Sequence, residues 1–283
     1  MPGVALRRVV GAIGRLPTLP RTSALLVQAL QNPDVQTDEI AAIVERDVGI
    51  TAKMLQLVNS AFFSLPNYVT SVRMAVNYLG LDTLRQLVLS VELFRTLQPT
   101  QAVPGFSLEH LQEHSQLAAR IAAGLPAPAP VIAAGVVAAA LHDAGKLVLA
   151  ARLPDEFQRA LQASREQNVP LYIIEKTQMG TTHAEIGAYL LGLWGLPDSV
   201  VDAVCHHHCP VATEGSQGLD VLAITHIADA LAGEVHLDPT ENAPAGGLLD
   251  AAYLARLGLD ARLPAWRTMA RQVLENLRGG QHA

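Results

Sequence analysis

The chain has 283 residues, half of them hydrophobic and 16% charged, with a formal net charge of −6. That length and apolar content allow one large domain or two ordinary ones with a sizeable core, and the low charge excludes a disordered chain. With three lysines and scattered arginines, no basic patch is available for a phosphate backbone, so no direct nucleic-acid binding is expected.

Alanine and leucine dominate and aromatics make up only 4%, a mix that favours helices over strands. The N-terminal "MPGVALRRVVGAIGRLP" reads as an amphipathic first helix, short of a signal-peptide apolar core. No uninterrupted apolar run approaches the roughly 20 residues that a bilayer span requires. The two cysteines, Cys205 and Cys209, fit a reducing compartment. The chain therefore reads as soluble and cytoplasmic, either from a native start or following a receiver domain.

In chain order, Thr37 is the expected N-cap of "IAAIVERD", with Asp38 and Glu39 in its first turn. "ITAKMLQLVNSAFF" places Ile50, Met54, Leu57, Val58 and Ala61 on one helical face. "SVRMAVNYLG" is a short helix closed by Gly80, and Asp82 then caps "TLRQLVLSVELF". "LQPTQAVPGFS" marks a boundary between an N-terminal helical lobe, 1–100, and a second lobe, 101–283. Within the second lobe, helices are predicted near 108–123, 155–167 and 171–179. "THAEIGAYLLGLW", "PDSVVDAVCHHH" and "LDVLAITHIADALA" also read as helices. "GLPAPAP" is a linker and "CPVATEGSQG" a loop. Strand-period alternation is absent, so the predicted fold is all-α.

The chemistry concentrates in histidine and aspartate. In "LHDAGKLVLA", His142 and Asp143 follow an apolar run from Val131 to Leu141, and burying them is costly unless they are satisfied. His114, His183, His207, His208 and Asp229 lie in other helices of the same lobe, flanked by small residues that let helices approach closely. Imidazole nitrogens and carboxylate oxygens suit one or two divalent ions such as Zn, Fe, Mn or Mg, and mixed sets often hold paired ions in phosphoester chemistry. Asp143 and Lys146 are the candidate catalytic groups, Lys146 steadying charge on a phosphate if the helix persists past Gly145. The competing reading is a satisfied core imidazole for any single histidine, and for Asp143 a helix cap or a hydrogen bond to a neighbouring helix.

His110, one turn before His114, is a candidate additional or outer ligand, His226 shares a face with Asp229, and His206 reads as partly exposed. Cys205 and Cys209 read as two thiols rather than a zinc site, because Pro210 ends the helix and no third cysteine exists. Trp194 reads as a core plug. Phe62, Phe63 and Tyr68 either pack two halves together or form a partner surface.

"LPTLP", "IVERDVGITAKMLQLVNSAFF", "SVRMAVNYLGLDTLRQLVLS", "LHDAGKLVL", "HAEIGAYLLGLWGLP", "AVCHHHCP" and "HIADALA" together resemble the HDOD branch of the HD-type metallohydrolase superfamily. The resemblance covers roughly residues 10–235. It implies a bacterial-type signalling module acting through protein partners or a small nucleotide ligand. It also implies metal ligands at His114, His142, Asp143, His183, His207, His208 and Asp229. Two departures stand out. Asp47-Val48 replaces the usual Asp-Pro, which affects a helix entry. The Gly-Tyr-Pro segment of the related HD-GYP phosphodiesterases is missing after His207 and His208, which argues against cyclic-di-GMP hydrolysis. An active metal-dependent phosphohydrolase on a nucleotide or cyclic nucleotide is the alternative function, and a regulator with an empty pocket is a third.

Overall fold

The computed structural model describes residues 35–58, 69–80, 101–211, 218–235 and 248–279, with a few single positions between 25 and 99. The N-terminal helix, "LPTLP", the cap at Asp82, and Phe62, Phe63 and Tyr68 lie outside the described residues. Among the described residues every regular element is helical and there is no strand. They fall into two compact units, one within Pro17–Gln98 and the other from Pro99 onward.

The first unit contains α1 (Thr37–Glu45), α2 (Val48–Val58) and α3 (Val72–Leu79). Ile50, Met54 and Val58 are fully buried, as their helical spacing predicts, together with Ile40, Val44 and Val72. The start of α1 departs from expectation. Its N-cap is Gln36 and Thr37 is already helical, because the Gln36 carbonyl accepts from the amides of both Glu39 and Ile40. At Asp47-Val48 the Asp47 carboxylate accepts from the Ile50 amide at 3.1 Å, so this departure does serve as a helix entry. Ser71 caps α3 by accepting from Met74, and Gly80, at φ 80°, ends it.

The second unit runs through α4 (Leu108–Ala123), α5 (Ala129–Leu141), α6 (Ala144–Arg152), α7 (Pro154–Gln167), α8 (Leu171–Met179), α9 (His183–Leu193), α10 (Asp198–His206), α11 (Val221–Val235), α12 (Ala251–Arg256) and α13 (Leu263–Gly279). Apolar on all sides, α5 packs against α4, α10 and α11. Its small residues permit close crossings: a Cβ at Gly135 would collide with the Ile224 side chain of α11. Leu117, Ile121, Ile224, Ile227, Leu231, Tyr253 and Trp266 complete this core. Trp194 is buried, as expected of a core plug.

Counted as helix rather than as uninterrupted apolar residues, 129–152 is long and apolar enough to cross a bilayer, although no single apolar run is. Of its most apolar window, 61% is buried inside the protein. The polar pair His142-Asp143 interrupts it, and its apolar side chains form the core.

Candidate metal centre

Six helices, or their caps, deliver the seven expected residues to one place. His114 projects from the middle of α4. His142 is the C-cap residue of α5, and Asp143 occupies the N-cap position of α6. The side chain of Asp143 makes no cap bond, so the capping alternative for this residue is excluded. His183 opens α9 behind a capping box in which Thr182 and Glu185 satisfy each other's backbone amides. His207 caps α10 with His208 next to it, and Asp229 comes from α11. Packing of α6 on α9 depends on Gly145, where a Cβ would overlap the His183 carbonyl and press on the Gly187 amide. That close approach sets Asp143 beside His183.

All seven are buried or nearly so, with His142 and His207 at 0% exposure. Three imidazoles share one arrangement. His142 donates from Nδ1 to the Ala139 carbonyl at 2.7 Å, His207 does the same to Val204 at 2.7 Å, and His183 donates to Glu175 Oε2 at 2.6 Å. These partners fix one proton on Nδ1 and turn each Nε2 inward. The inward atoms are poorly matched to one another. His142 Nε2 lies 3.4 Å from both Asp143 Oδ2 and Asp229 Oδ1 without a hydrogen bond. His207 Nε2, His208 Nδ1 and Asp143 Oδ1 are likewise buried without hydrogen-bond partners. Better satisfied are His114 Nε2, 2.9 Å from Asp229 Oδ1, and His208 Nε2, 2.9 Å from His183 Nε2.

Buried polar atoms without partners are expensive, so a cluster of them facing one point calls for a ligand. Three groups have ligand atoms within 4.8 Å of one another: Asp143, His183, His207 and His208; His114, His142 and Asp143; and His142, His207 and Asp229. Asp143 belongs to two of these groups. The donor set and the orphaned atoms fit a divalent cation.

The charges agree. Burial pushes the pKa of His142 down, but Asp143 and Asp229 outweigh it and raise it to about 10. Burial, with His142 nearby, lowers His207 to about 3. Burial also opposes charge on Asp143, yet Lys146 and His142 hold its carboxyl well below the usual range. Asp229 is held low against burial by His142 and His114. The pocket thus retains its carboxylate charge and concentrates a compensating proton on an imidazole that has no good acceptor for it.

Several other residues resolve differently. Lys146 lies on a helix that does persist past Gly145, to Arg152, although the α5–α6 junction separates it from His142. Its Nζ is instead 2.6 Å from Asp143 Oδ2. His110 is exposed and belongs to none of the three groups, and His206 is exposed as expected. His226 is buried, but its Nδ1 donates to the His207 carbonyl and its Nε2 accepts from the Asp250 amide, so it holds the backbone at His207. Neither cysteine joins a metal-capable group among the described residues. Cys205 is half-buried, its thiol pushed up to about 11 by burial, and Cys209 is exposed. Glu175, the carboxylate behind His183, went unnoticed in the sequence. The apolar "LYII" before it was the only available sign.

A model of the HDOD domain family matches residues 16–210, and the chain belongs to that family. An uncharacterized protein of Treponema pallidum (strain Nichols) is 30% identical over 210 residues, 73% of this chain and 40% of that protein. This chain therefore corresponds to less than half the length of that relative. Among solved structures, one from Marinobacter aquaeolei VT8, described as a candidate signal transduction protein, superposes with a TM-score of 0.72. It is 24% identical, covering 98% of this chain and 64% of that one. One from Shewanella amazonensis SB2B, described as a candidate metal-dependent phosphohydrolase, has a TM-score of 0.60. It is 18% identical, covering 93% and 97%. At these identities the shared property is the fold.

Proposed function

We propose that this chain is a regulatory HDOD module that holds one or two divalent ions in the pocket formed by His114, His142, Asp143, His183, His207, His208 and Asp229. It acts through a protein partner or a small nucleotide ligand. The carrying observation is the set of inward, buried and unpartnered atoms, His142 Nε2, His207 Nε2, His208 Nδ1 and Asp143 Oδ1. An ion would satisfy them and replace the proton on His142.

A second reading, a metal-dependent phosphohydrolase, has its own support. Asp143 is common to two ligand groups, the arrangement that a carboxylate shared between paired ions requires. Paired ions would supply Lewis acidity and an activated water. Lys146 would hold Asp143 in place through the 2.6 Å ion pair. The absence of a Gly-Tyr-Pro segment after His208 counts only against cyclic-di-GMP as its substrate.

Hydrolysis by Mn- or Fe-loaded protein across nucleotides, cyclic nucleotides and cyclic dinucleotides separates the two. The regulatory reading predicts no turnover that depends on Asp143. Turnover by wild type that Asp143→Ala abolishes, with the helical circular dichroism spectrum retained, establishes the enzyme instead.

A further inference from the structure

Glu175 is fully buried on α8, and both of its hydrogen bonds run to one residue. Its Oε2 accepts from the His183 amide at 2.8 Å and from His183 Nδ1 at 2.6 Å. Its Oε1 is buried without a hydrogen-bond partner. His142 and His207 lean on neutral carbonyls of their own helices, whereas His183 leans on a full carboxylate from a different helix. Elsewhere the connection from α8 to α9 is already secured. Lys176 pairs with Glu185 at 2.7 Å, Thr181 donates to Glu185, and the Thr182 capping box closes the start of α9. A buried charge is not needed there merely to join two helices, and burying one without compensation is costly.

We infer that Glu175 is the positioning residue that aims His183 Nε2 at a bound divalent cation, and that its charge completes the balance of the pocket with one such ion. This rests on the metal reading above. Three buried carboxylates, Asp143, Asp229 and Glu175, face a single lysine, Lys146, so with neutral imidazoles the pocket is short of two positive charges. One divalent cation supplies both. A second ion would leave an excess that only an added anion could balance. A carboxylate behind an imidazole also makes the ligand more basic and fixes its orientation.

The test compares wild type, Glu175→Gln and Glu175→Asp, each stripped of metal and titrated with Zn or Mn against a competing chelator. The thermal midpoint of each metal-free protein is measured alongside. The glutamine side chain accepts the same bonds without the charge. The expected result is affinity weaker by about 10–100-fold in Glu175→Gln, with the metal-free midpoint unchanged or raised and affinity partly recovered in Glu175→Asp. Wild-type affinity in Glu175→Gln, or a loss of midpoint with no loss of affinity, overturns the inference and leaves the metal reading intact. Failure of wild type to bind either ion overturns both. Should Glu175→Gln not fold, nitrogen-15 histidine spectra of the metal-loaded wild type carry the test. The His183 proton is expected on Nδ1 at low field, and a proton on Nε2 overturns the inference.

Discussion

At the residue scale, two histidines in the same pocket are pulled in opposite directions, and this gives the metal-free protein a defined pH response. His142, raised to about 10, holds its proton more tightly folded than unfolded, since an unperturbed imidazole titrates near 6.5. Its contribution is complete below about pH 6.5 and is lost as pH rises toward 10. His207, lowered to about 3, resists protonation when folded, so it penalises the fold progressively as pH falls from about 6.5 toward 3. Denaturation of metal-free protein across pH should therefore show a stability maximum near 6.5. Loading a divalent ion at about pH 7.5 should release about one proton, drawn from His142, as read by calorimetry in buffers of different ionisation enthalpy. Uptake without proton release would show that His142 is not a ligand. The candidate ligand residues were legible because histidine and aspartate in apolar helices carry their chemistry openly. Glu175 was not, because an acidic residue in a short helix looks like solvated surface until its burial is known. Lys146 was legible as a cation near the pocket, and its 2.6 Å pairing with Asp143 is the contact expected three residues apart on a helix.

At the element scale, the pocket depends on helices crossing at close range. Gly145 decides one crossing, because a methyl there overlaps the His183 carbonyl of α9. Gly145→Ala should force α6 and α9 apart, cost about 1–3 kcal/mol in chemical denaturation and weaken metal binding together with stability. A fully stable Gly145→Ala protein would mean that α6 and α9 do not need this contact. Helix positions were largely visible in the sequence. Proline and glycine punctuate them, and the spacing of Ile50, Met54 and Val58 gives the buried face directly. The first residue of α1 was not visible, because whether Gln36 or Thr37 closes the first turn depends on one backbone carbonyl. Nor was the break at His142-Asp143, where an apolar pattern runs on while the chain turns to present both side chains.

At the scale of the whole molecule, the second unit uses a helix apolar enough for a membrane as the wall of a polar pocket. The apolar core buries the C-terminal part of α5, and the partnerless atoms at its end carry the demand for an ion. Binding only to the folded state, such an ion raises stability by linkage, so chelation should lower the melting temperature and re-addition should restore it. The most direct test is metal content by inductively coupled plasma mass spectrometry on protein purified without chelators. About one divalent transition-metal ion per chain is expected, falling to background in Asp143→Ala, whereas less than about 0.2 ion per wild-type chain, unrestored by added Zn, Mn or Fe, would rule out a metal centre.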